Sequence, residues 1–410
     1  MLMSLFFRHL VRWGKLTVID ARGGTHVYAG APGPEFVIRL RDPELHWKLF
    51  VNPGLYFGEA FTDGTLCVDQ ASIYDLIHFI RENMNLAPEH WMMRLDELVR
   101  WPLRHWHQRN HVRRAHRNVA HHYDLSETLY DLFLDADRQY SCAYFSRPGI
   151  TIEEAQASKK RHIAAKLLLR PGQRVLDIGS GWGGMALYLA RECGVDVTGL
   201  TLSREQLDVA RRRAREAGLA DRVRFELCDY RVHGGCYDRI VSVGMFEHVG
   251  VPHYPDFFGK VKELLTEDGV ALLHSIGRMG GPYVTNSWVR KYIFPGGYAP
   301  ALSEVVPVVE RAKLWMTDLE ILRLHYAETL RAWRSRFNAN RERVRDLYDE
   351  RFCRMWEFYL AVFEVAFRQQ GLVVFQMQIA KSVDAVPSTR DYMVDWERSH
   401  PVPVPDEQAA

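Results

Sequence analysis

The chain has 410 residues, 25% charged and 47% apolar, with a formal net charge of +2. These are the proportions of an ordinary globular protein long enough for two domains with substantial cores, and they exclude a disordered or fibrous chain. The six cysteines at 67, 142, 193, 228, 236 and 353 form no Cys-x-x-Cys pair, which fits reduced thiols in a cytoplasm rather than a disulfide framework or a zinc site.

Residues 1–15, set on a helical period, place Leu2, Leu5, Phe6, Leu10 and Trp13 on one side and Ser4, Arg8, Arg12 and Lys15 on the other. The pattern predicts an amphipathic helix, suited to a membrane surface or to capping its own domain. Arg8 interrupts the apolar run with no basic stretch before it and no small-residue cleavage site after it, so no signal peptide is expected. No apolar run approaches the roughly 18 residues of a bilayer span, and no transmembrane helix is expected. Alternating runs at 16–19, 26–28 and 36–40, separated by Gly23-Gly24 and by the Gly/Pro-rich 30–34, predict a small antiparallel sheet. With helices at about 43–51 and 70–84, residues 1–86 read as a smaller α+β domain.

Residues 87–117 change character. Acids are absent between Glu97 and Asp124, while Arg100, Arg104, Arg109, Arg113, Arg114 and Arg117 crowd that interval. Trp91, Trp101 and Trp106 lie in or beside the band, a mixture that suits a membrane interface or a packed helical linker. No RNA- or DNA-binding motif accompanies it, so an anionic lipid surface is the better functional partner.

From Asn118 the pattern becomes strand–helix alternation. Strands are predicted at 174–178, 195–200, 223–227, 239–243, 270–275 and 375–381, with helices at about 154–168, 183–193, 203–217, 254–265, 304–315 and 340–369. The expected class is α/β, a doubly wound, Rossmann-like parallel sheet whose ligand lies at the carboxyl ends of the strands. This domain extends to about 395, and the proline-bearing tail at 396–410 is expected to lack order.

The first of these strands runs through Leu176 and Asp177 into Gly179-Ser180-Gly181-Trp182-Gly183-Gly184. Glycines at 179, 181 and 183 allow positive φ and a close ligand, and the helix that follows offers unpaired N–H groups. Asp177 favours a ligand with an ammonium or sulfonium centre over a polyphosphate. The second strand ends in Thr201-Leu202-Ser203-Arg204-Glu205-Gln206 without an acid, leaving Thr201 and Gln206 the polar work, and the third ends in Cys228-Asp229-Tyr230, where an adenine can be held. Glu247 and His274 stand at the ends of the next two strands and should face one pocket. His121 and His122 have no partner at metal-ligand spacing, and no metal is expected.

These motifs resemble the cyclopropane-fatty-acid synthase family, S-adenosylmethionine-dependent class I methyltransferases that include the mycolic-acid cyclopropane synthases. The resemblance is carried by His122–Leu125, Tyr140–Phe145, Leu176–Gly184, Thr201–Gln206, Phe246–His248, Lys291–Gly297 and His325–Leu330, in family order, and Gly54–Gly64 resembles the N-terminal domain of longer members. It implies S-adenosylmethionine against Tyr140, Ser141, Leu176, Asp177, Gly179, Gly181, Gly183, Thr201, Leu202, Gln206, Asp229 and Tyr230. It also implies a bicarbonate ion held by backbone groups of Cys142 and Ile276 and by the side chains of Glu247, His274 and Tyr326.

The implied reaction adds a methylene to the cis double bond of an unsaturated phospholipid acyl chain, with bicarbonate as the base. Aromatic faces at Tyr123, Tyr144, Phe246 or Phe294 would stabilise the cation that forms on carbon. Other readings are a methyl-branched or methylene product without ring closure, N-methylation of a small amine, and a non-catalytic lipid-binding module. The expected location is cytoplasmic and peripheral on the inner membrane face, and a homodimer is allowed.

Overall fold

The computed structural model describes residues 4–86 and 126–402. The basic band at 87–117 and the His122–Leu125 motif with Tyr123 lie outside the described residues. Two compact units divide the chain, and each is discontinuous. One joins the N-terminal residues to Tyr283–Pro295 and Leu330–Gly371; the other takes the described residues from 126 to Pro282, Gly296–Thr329 and everything from Leu372. By compactness, 283–295 and 330–371 group with the N-terminal residues, whereas the sequence reading placed them with the domain at 118–395.

In the first unit a four-stranded sheet has the order β2-β1-β3-β4, with β1 Trp13–Ile19, β2 Thr25–Ala29, β3 Ala31–Leu40 and β4 Leu66–Asp69. It is mixed, not antiparallel as expected, because β1 and β3 run parallel. The expected helix over 1–15 is also shorter: it spans Ser4–Leu10, and Trp13 and Lys15 belong to β1. The cause is tertiary. Asn83, fully buried on helix Ile73–Leu86, accepts from the N–H groups of Arg12 and Trp13 at 2.7 and 2.8 Å and donates to the Trp13 carbonyl at 3.1 Å. Gly14 then turns the chain at φ +77°, where a Cβ would stand 2.4 Å from the Pro34 carbonyl oxygen. Leu16 and Val18 alternate inward from the strand that results. The motif at 54–64 forms helix Pro53–Thr62, whose Gly58 lies against the Trp288 ring, and Phe57 and Phe61 pack on Phe358 of helix Glu350–Gln369.

The second unit is a seven-stranded sheet of order β10-β11-β9-β8-β5-β6-β7. Its strands are β5 Arg174–Ile178, β6 Asp196–Thr201, β7 Val223–Leu227, β8 Tyr237–Val243, β9 Leu265–Arg278, β10 Trp315–Ile321 and β11 Leu372–Ala380. Both faces are covered. Val175 and Val241 point into an apolar cluster with helices Ile152–Leu167, Gly184–Cys193 and Arg204–Glu216. Their neighbours Leu176 and Ile240 point the other way, into a cluster with helices Tyr254–Leu264 and Leu302–Arg311. The doubly wound α/β class expected from the sequence is therefore the class observed, with two corrections. β11 runs antiparallel to both β9 and β10, and residues from Trp315 form a strand where a helix end was expected.

The C-terminal residues also differ from expectation, since helix Asp391–Ser399 runs into the stretch expected to lack order. Its Glu397 Oε1 lies 2.7 Å from His162 Nδ1, while Glu320 Oε2 lies 2.6 Å from Nε2. Burial opposes a charge on this imidazole, but the two carboxylates outweigh it and raise its pKa. The Tyr144 ring stacks on His162 at 4.2 Å and on His325 at 4.8 Å.

Candidate active site

At the carboxyl end of β5 the chain turns through Gly179, Gly181 and Gly183, with φ of +88°, +53° and +84°. The three glycines are required for different reasons. A Cβ on Gly179 would lie 2.7 Å from Met245 and one on Gly183 2.6 Å from Phe225, whereas among the described residues, its chain neighbours apart, nothing stands within 4 Å of a Cβ on Gly181. The first and third admit the protein to the turn, and the second keeps the turn open. The N–H groups of Gly179 and Ser180 both bond the Leu200 carbonyl, at 3.0 and 2.8 Å, which fixes the turn to β6.

The turn forms one wall of a cleft. Of the residues the sequence implicated in cofactor binding, Tyr140, Ser141, Asp177, Gly179, Gly181, Thr201, Leu202, Gln206, Asp229 and Tyr230 line it. Leu176 and Gly183 do not: Leu176 is fully buried in the sheet's core, and Gly183 stands at the start of helix Gly184–Cys193. Asp177 is 2% exposed, and among the described residues its Oδ2 has no hydrogen-bond partner. Burial pushes its carboxyl up to about 7, against the opposing charge of Lys159. At the end of β6 the Thr201 hydroxyl donates to Gln206 Oε1 at 3.0 Å, which leaves the Gln206 amide nitrogen as the donor.

Sequence reasoning missed several cleft residues. Arg231 holds Asp229 through Nε and Nη2 at 2.9 and 2.6 Å, so the acid at the end of β7 is already neutralised. Gln139, Met245 and His248 also line the cleft, and burial pulls the His248 imidazole down to about 4, keeping it neutral. Lys159 lies behind the wall. Its Nζ donates to Gln139 Oε1 and to Ser141 Oγ, both at 2.7 Å. One signal for it was legible, because Ala155, Lys159 and Ile163 fall four residues apart on the buried stripe of helix Ile152–Leu167.

The second constellation lies outside the cleft lining. Glu247, 9% exposed in a short 3-10 turn after β8, accepts from the Ile276 N–H through Oε1 at 2.6 Å. The Ile276 N–H, one of the backbone groups expected to face an ion, is thus committed to Glu247. Among the described residues Glu247 Oε2 has no hydrogen-bond partner, and burial pushes the carboxyl up to about 7. His274 pairs with Val243 across β8 and β9, and burial holds its pKa well below the ordinary value. Its Nδ1 lies 3.2 Å from the Gln376 amide nitrogen. With Nδ1 accepting that amide hydrogen, the neutral ring carries its own proton on Nε2.

Cys142 is 1% exposed, and burial raises its thiol pKa. The Ala143 N–H beside it donates to Thr329 Oγ1 at 3.0 Å, one turn along helix His325–Ala339 from the buried Tyr326. The next contact in register is Phe145 N–H to His325 Nδ1 at 2.9 Å. Residues 143–145 are thereby fastened beside Tyr326. Of the aromatic residues expected to steady a cation, Tyr144 is sandwiched by its histidines and Phe246 is fully buried against Tyr254 and Phe257. Phe294 belongs to the other unit.

Comparison with known proteins gives the same picture. The family model described as mycolic acid cyclopropane synthetase matches residues 110–377. The chain is 35% identical to the cyclopropane-fatty-acyl-phospholipid synthase of Escherichia coli strain K12, over 89% of this chain and 92% of that protein. It is 38% identical to the tuberculostearic acid methyltransferase UfaA1 of Mycobacterium tuberculosis, over 71% of this chain and 70% of that one. Among solved structures, mycolic acid cyclopropane synthase CmaA1 complexed with SAH and CTAB superposes with a TM-score of 0.61 at 33% identity, over 64% of this chain and 97% of that one. With a family match over residues 110–377 and a relative aligned over nearly its whole length, the chain belongs to the mycolic acid cyclopropane synthetase family.

Proposed function

We propose that this protein is an S-adenosylmethionine-dependent synthase that adds a methylene across the cis double bond of an unsaturated phospholipid acyl chain, giving a cyclopropane fatty acid. The observation that carries this reading is the pair of unsatisfied buried carboxylate oxygens, Asp177 Oδ2 at the cleft and Glu247 Oε2 beyond β8. Bound S-adenosylmethionine supplies the electrophilic methyl group, and bound bicarbonate supplies a base for the proton that leaves it.

The chain's own residues bind, orient and exclude water. Asp177 suits the ammonium of the cofactor's amino-acid end, and the open turn at Gly181 lets the ligand lie against the backbone. An anion that carries its own O–H fits the second constellation, where Glu247 Oε2 can accept that hydrogen while the His274 Nε2–H and the Tyr326 hydroxyl donate. Main-chain groups at Cys142 would complete the set. Every one of these residues is buried, so a cation forming on carbon is kept from water. Mass spectrometry of lipid extracts after incubation with methyl-labelled S-adenosylmethionine tests the reading: the expected product gains one CH₂ and no longer behaves as an alkene. A product that retains an alkene would instead support the second reading, methylation without ring closure, which similarity to a tuberculostearic acid methyltransferase favours.

Phospholipid substrate also implies a membrane surface. Among the described residues no helix is long and apolar enough to cross a membrane; we assign peripheral binding to the basic arginines at 100–117 and the N-terminal segment, whose Phe7 and Leu10 are themselves buried in the protein. The protein is expected to co-sediment with vesicles containing anionic phospholipid and to be released as salt rises. Co-sedimentation unchanged after neutralising the six arginines and deleting residues 1–10 would overturn that assignment.

A further inference from the structure

Lys159 is fully buried, yet both hydrogen-bond acceptors of its ammonium, Gln139 Oε1 and Ser141 Oγ, are neutral. Among the described residues no carboxylate forms an ion pair with it. The charged and titratable groups around it are Asp135 and Asp137 in the preceding loop, Lys160 on its own helix, Cys142, Asp177 on β5 and His274 on β9. Asp135 and Asp137 act on Lys159 through their charge and, among the described residues, without an ion pair. Asp135 accepts the N–H groups of Asp137 and Gln139, at 3.1 and 2.8 Å, and Asp137 is held by Lys160 and Arg213. A buried ammonium whose direct partners are all neutral is disfavoured by burial, and the charges of Asp135 and Asp137 only partly offset that, so a further anion close to it would stabilise it.

The geometry indicates where that anion lies. Ser141 Oγ accepts from Lys159, so its own hydrogen must be donated elsewhere, and Ser141 lines the cleft. Gln139, also on the cleft wall, is fixed at both ends of its amide, since Oε1 accepts from Lys159 and Nε2 donates to Asp137 at 3.0 Å. Gln156, one turn before Lys159, donates to the carbonyls of Gln139 and Ser141 at 3.0 Å each. One helix thus holds the whole 139–141 segment by side chain and main chain.

We propose that Lys159 is the positioning residue for the amino-acid end of the cofactor: it aims the Ser141 hydroxyl at the ligand's carboxylate and takes that carboxylate as an added counter-charge. The proposal rests on the reading that this cleft binds S-adenosylmethionine. A zwitterionic end suits these two groups, Asp177 meeting the ammonium and the Lys159–Ser141 pair meeting the carboxylate. Burial pulls the Lys159 ammonium down to about 7, so above that pH much of the free protein lacks this charge. A carboxylate arriving near it restores the charge by proton uptake. Asp177, at about 7, works in the opposite sense, because an arriving ammonium lowers its pKa and expels a proton. At pH 8 Asp177 is already ionised and uptake by Lys159 dominates; at pH 6 Lys159 is already charged and release from Asp177 dominates.

Titration calorimetry of the full-length protein, in buffers of different ionisation enthalpy, reads this directly. S-adenosylmethionine is compared with 5′-methylthioadenosine, which lacks the amino-acid end. K159M is expected to bind S-adenosylmethionine at least about tenfold more weakly and to bind 5′-methylthioadenosine within about twofold of the unmodified protein. It should lose proton uptake at pH 8 while keeping the release at pH 6. The ligand's own amine, titrating near pH 8, contributes equally to both proteins and cancels in the difference. K159R, charged at both pH values, should retain binding without the Lys159 share of uptake, and it serves as the comparison if K159M does not fold. Equal weakening toward both ligands, or an uptake at pH 8 that neither substitution alters, would overturn the proposal. Failure of the unmodified protein to bind either ligand would remove the cofactor reading, and the proposal with it.

Discussion

Glu247→Gln is expected to lower turnover at saturating S-adenosylmethionine by at least about a hundredfold while leaving affinity for that cofactor within about twofold. The substitution is nearly isosteric, and an amide oxygen can still accept the Ile276 N–H that Glu247 Oε1 accepts at 2.6 Å. What changes is Oε2. A carboxylate oxygen there accepts a hydrogen, whereas the amide nitrogen that replaces it donates one, and the proposed anion then meets a donor where its own O–H needs an acceptor. The pH profile carries the same argument. Burial pushes the Glu247 carboxyl up to about 7, so the accepting, ionised form is depleted below that pH and predominates above it. Turnover should therefore rise by about tenfold per unit up to pH 7 and flatten beyond it, and the rise should be absent in the Gln variant. Asp177 and Lys159 also titrate near 7, but they act on cofactor affinity, and saturating cofactor separates them from Glu247. A fully active Glu247→Gln enzyme would sink the assignment of Glu247 to the reaction.

The unit with the seven-stranded sheet was legible because its signals are local. A strand that ends in three glycines at alternate positions needs positive φ at each, and all three have it. The cofactor-side residues followed, since they stand at the ends of consecutive strands and the topology brings those ends together. The direction of β11 was not legible. Its Val373–Ala380 stretch is buried throughout, Gln376 and Gln378 included, and a strand buried on both faces has the same pattern read in either direction.

Other features depended on residues far away in the chain. A helical period over 1–15 is real in the sequence, but Asn83, some seventy positions later, takes the N–H groups of Arg12 and Trp13 into a different arrangement. The same applies to Tyr144, whose stacking partners His162 and His325 come from separate helices. In each case periodicity gave the element and long-range polar or ring contacts decided its use.

Gly181→Ala and Gly183→Ala are expected to fail in opposite ways, although both residues stand in one turn at positive φ. Gly181 lines the cleft, and among the described residues, its chain neighbours apart, no atom lies within 4 Å of an added Cβ. Alanine there meets only the backbone strain of a left-handed residue, about 1–2 kcal/mol, but its methyl group projects where the ligand must approach the turn. Affinity for S-adenosylmethionine should fall at least about tenfold with only a small loss of thermal stability. At Gly183 the added Cβ would meet Phe225 at 2.6 Å and Ala210 at 3.1 Å. Overpacking then adds about 1–3 kcal/mol to a similar strain, so the melting temperature should drop clearly while the protein that remains folded binds near-normally, because Gly183 is not part of the cleft lining. Thermal melts with and without S-adenosylmethionine distinguish the two. If Gly181→Ala keeps full affinity, the ligand does not lie against the glycine turn, and the placement of the cofactor along β5 and β6 must be abandoned even though the fold is retained.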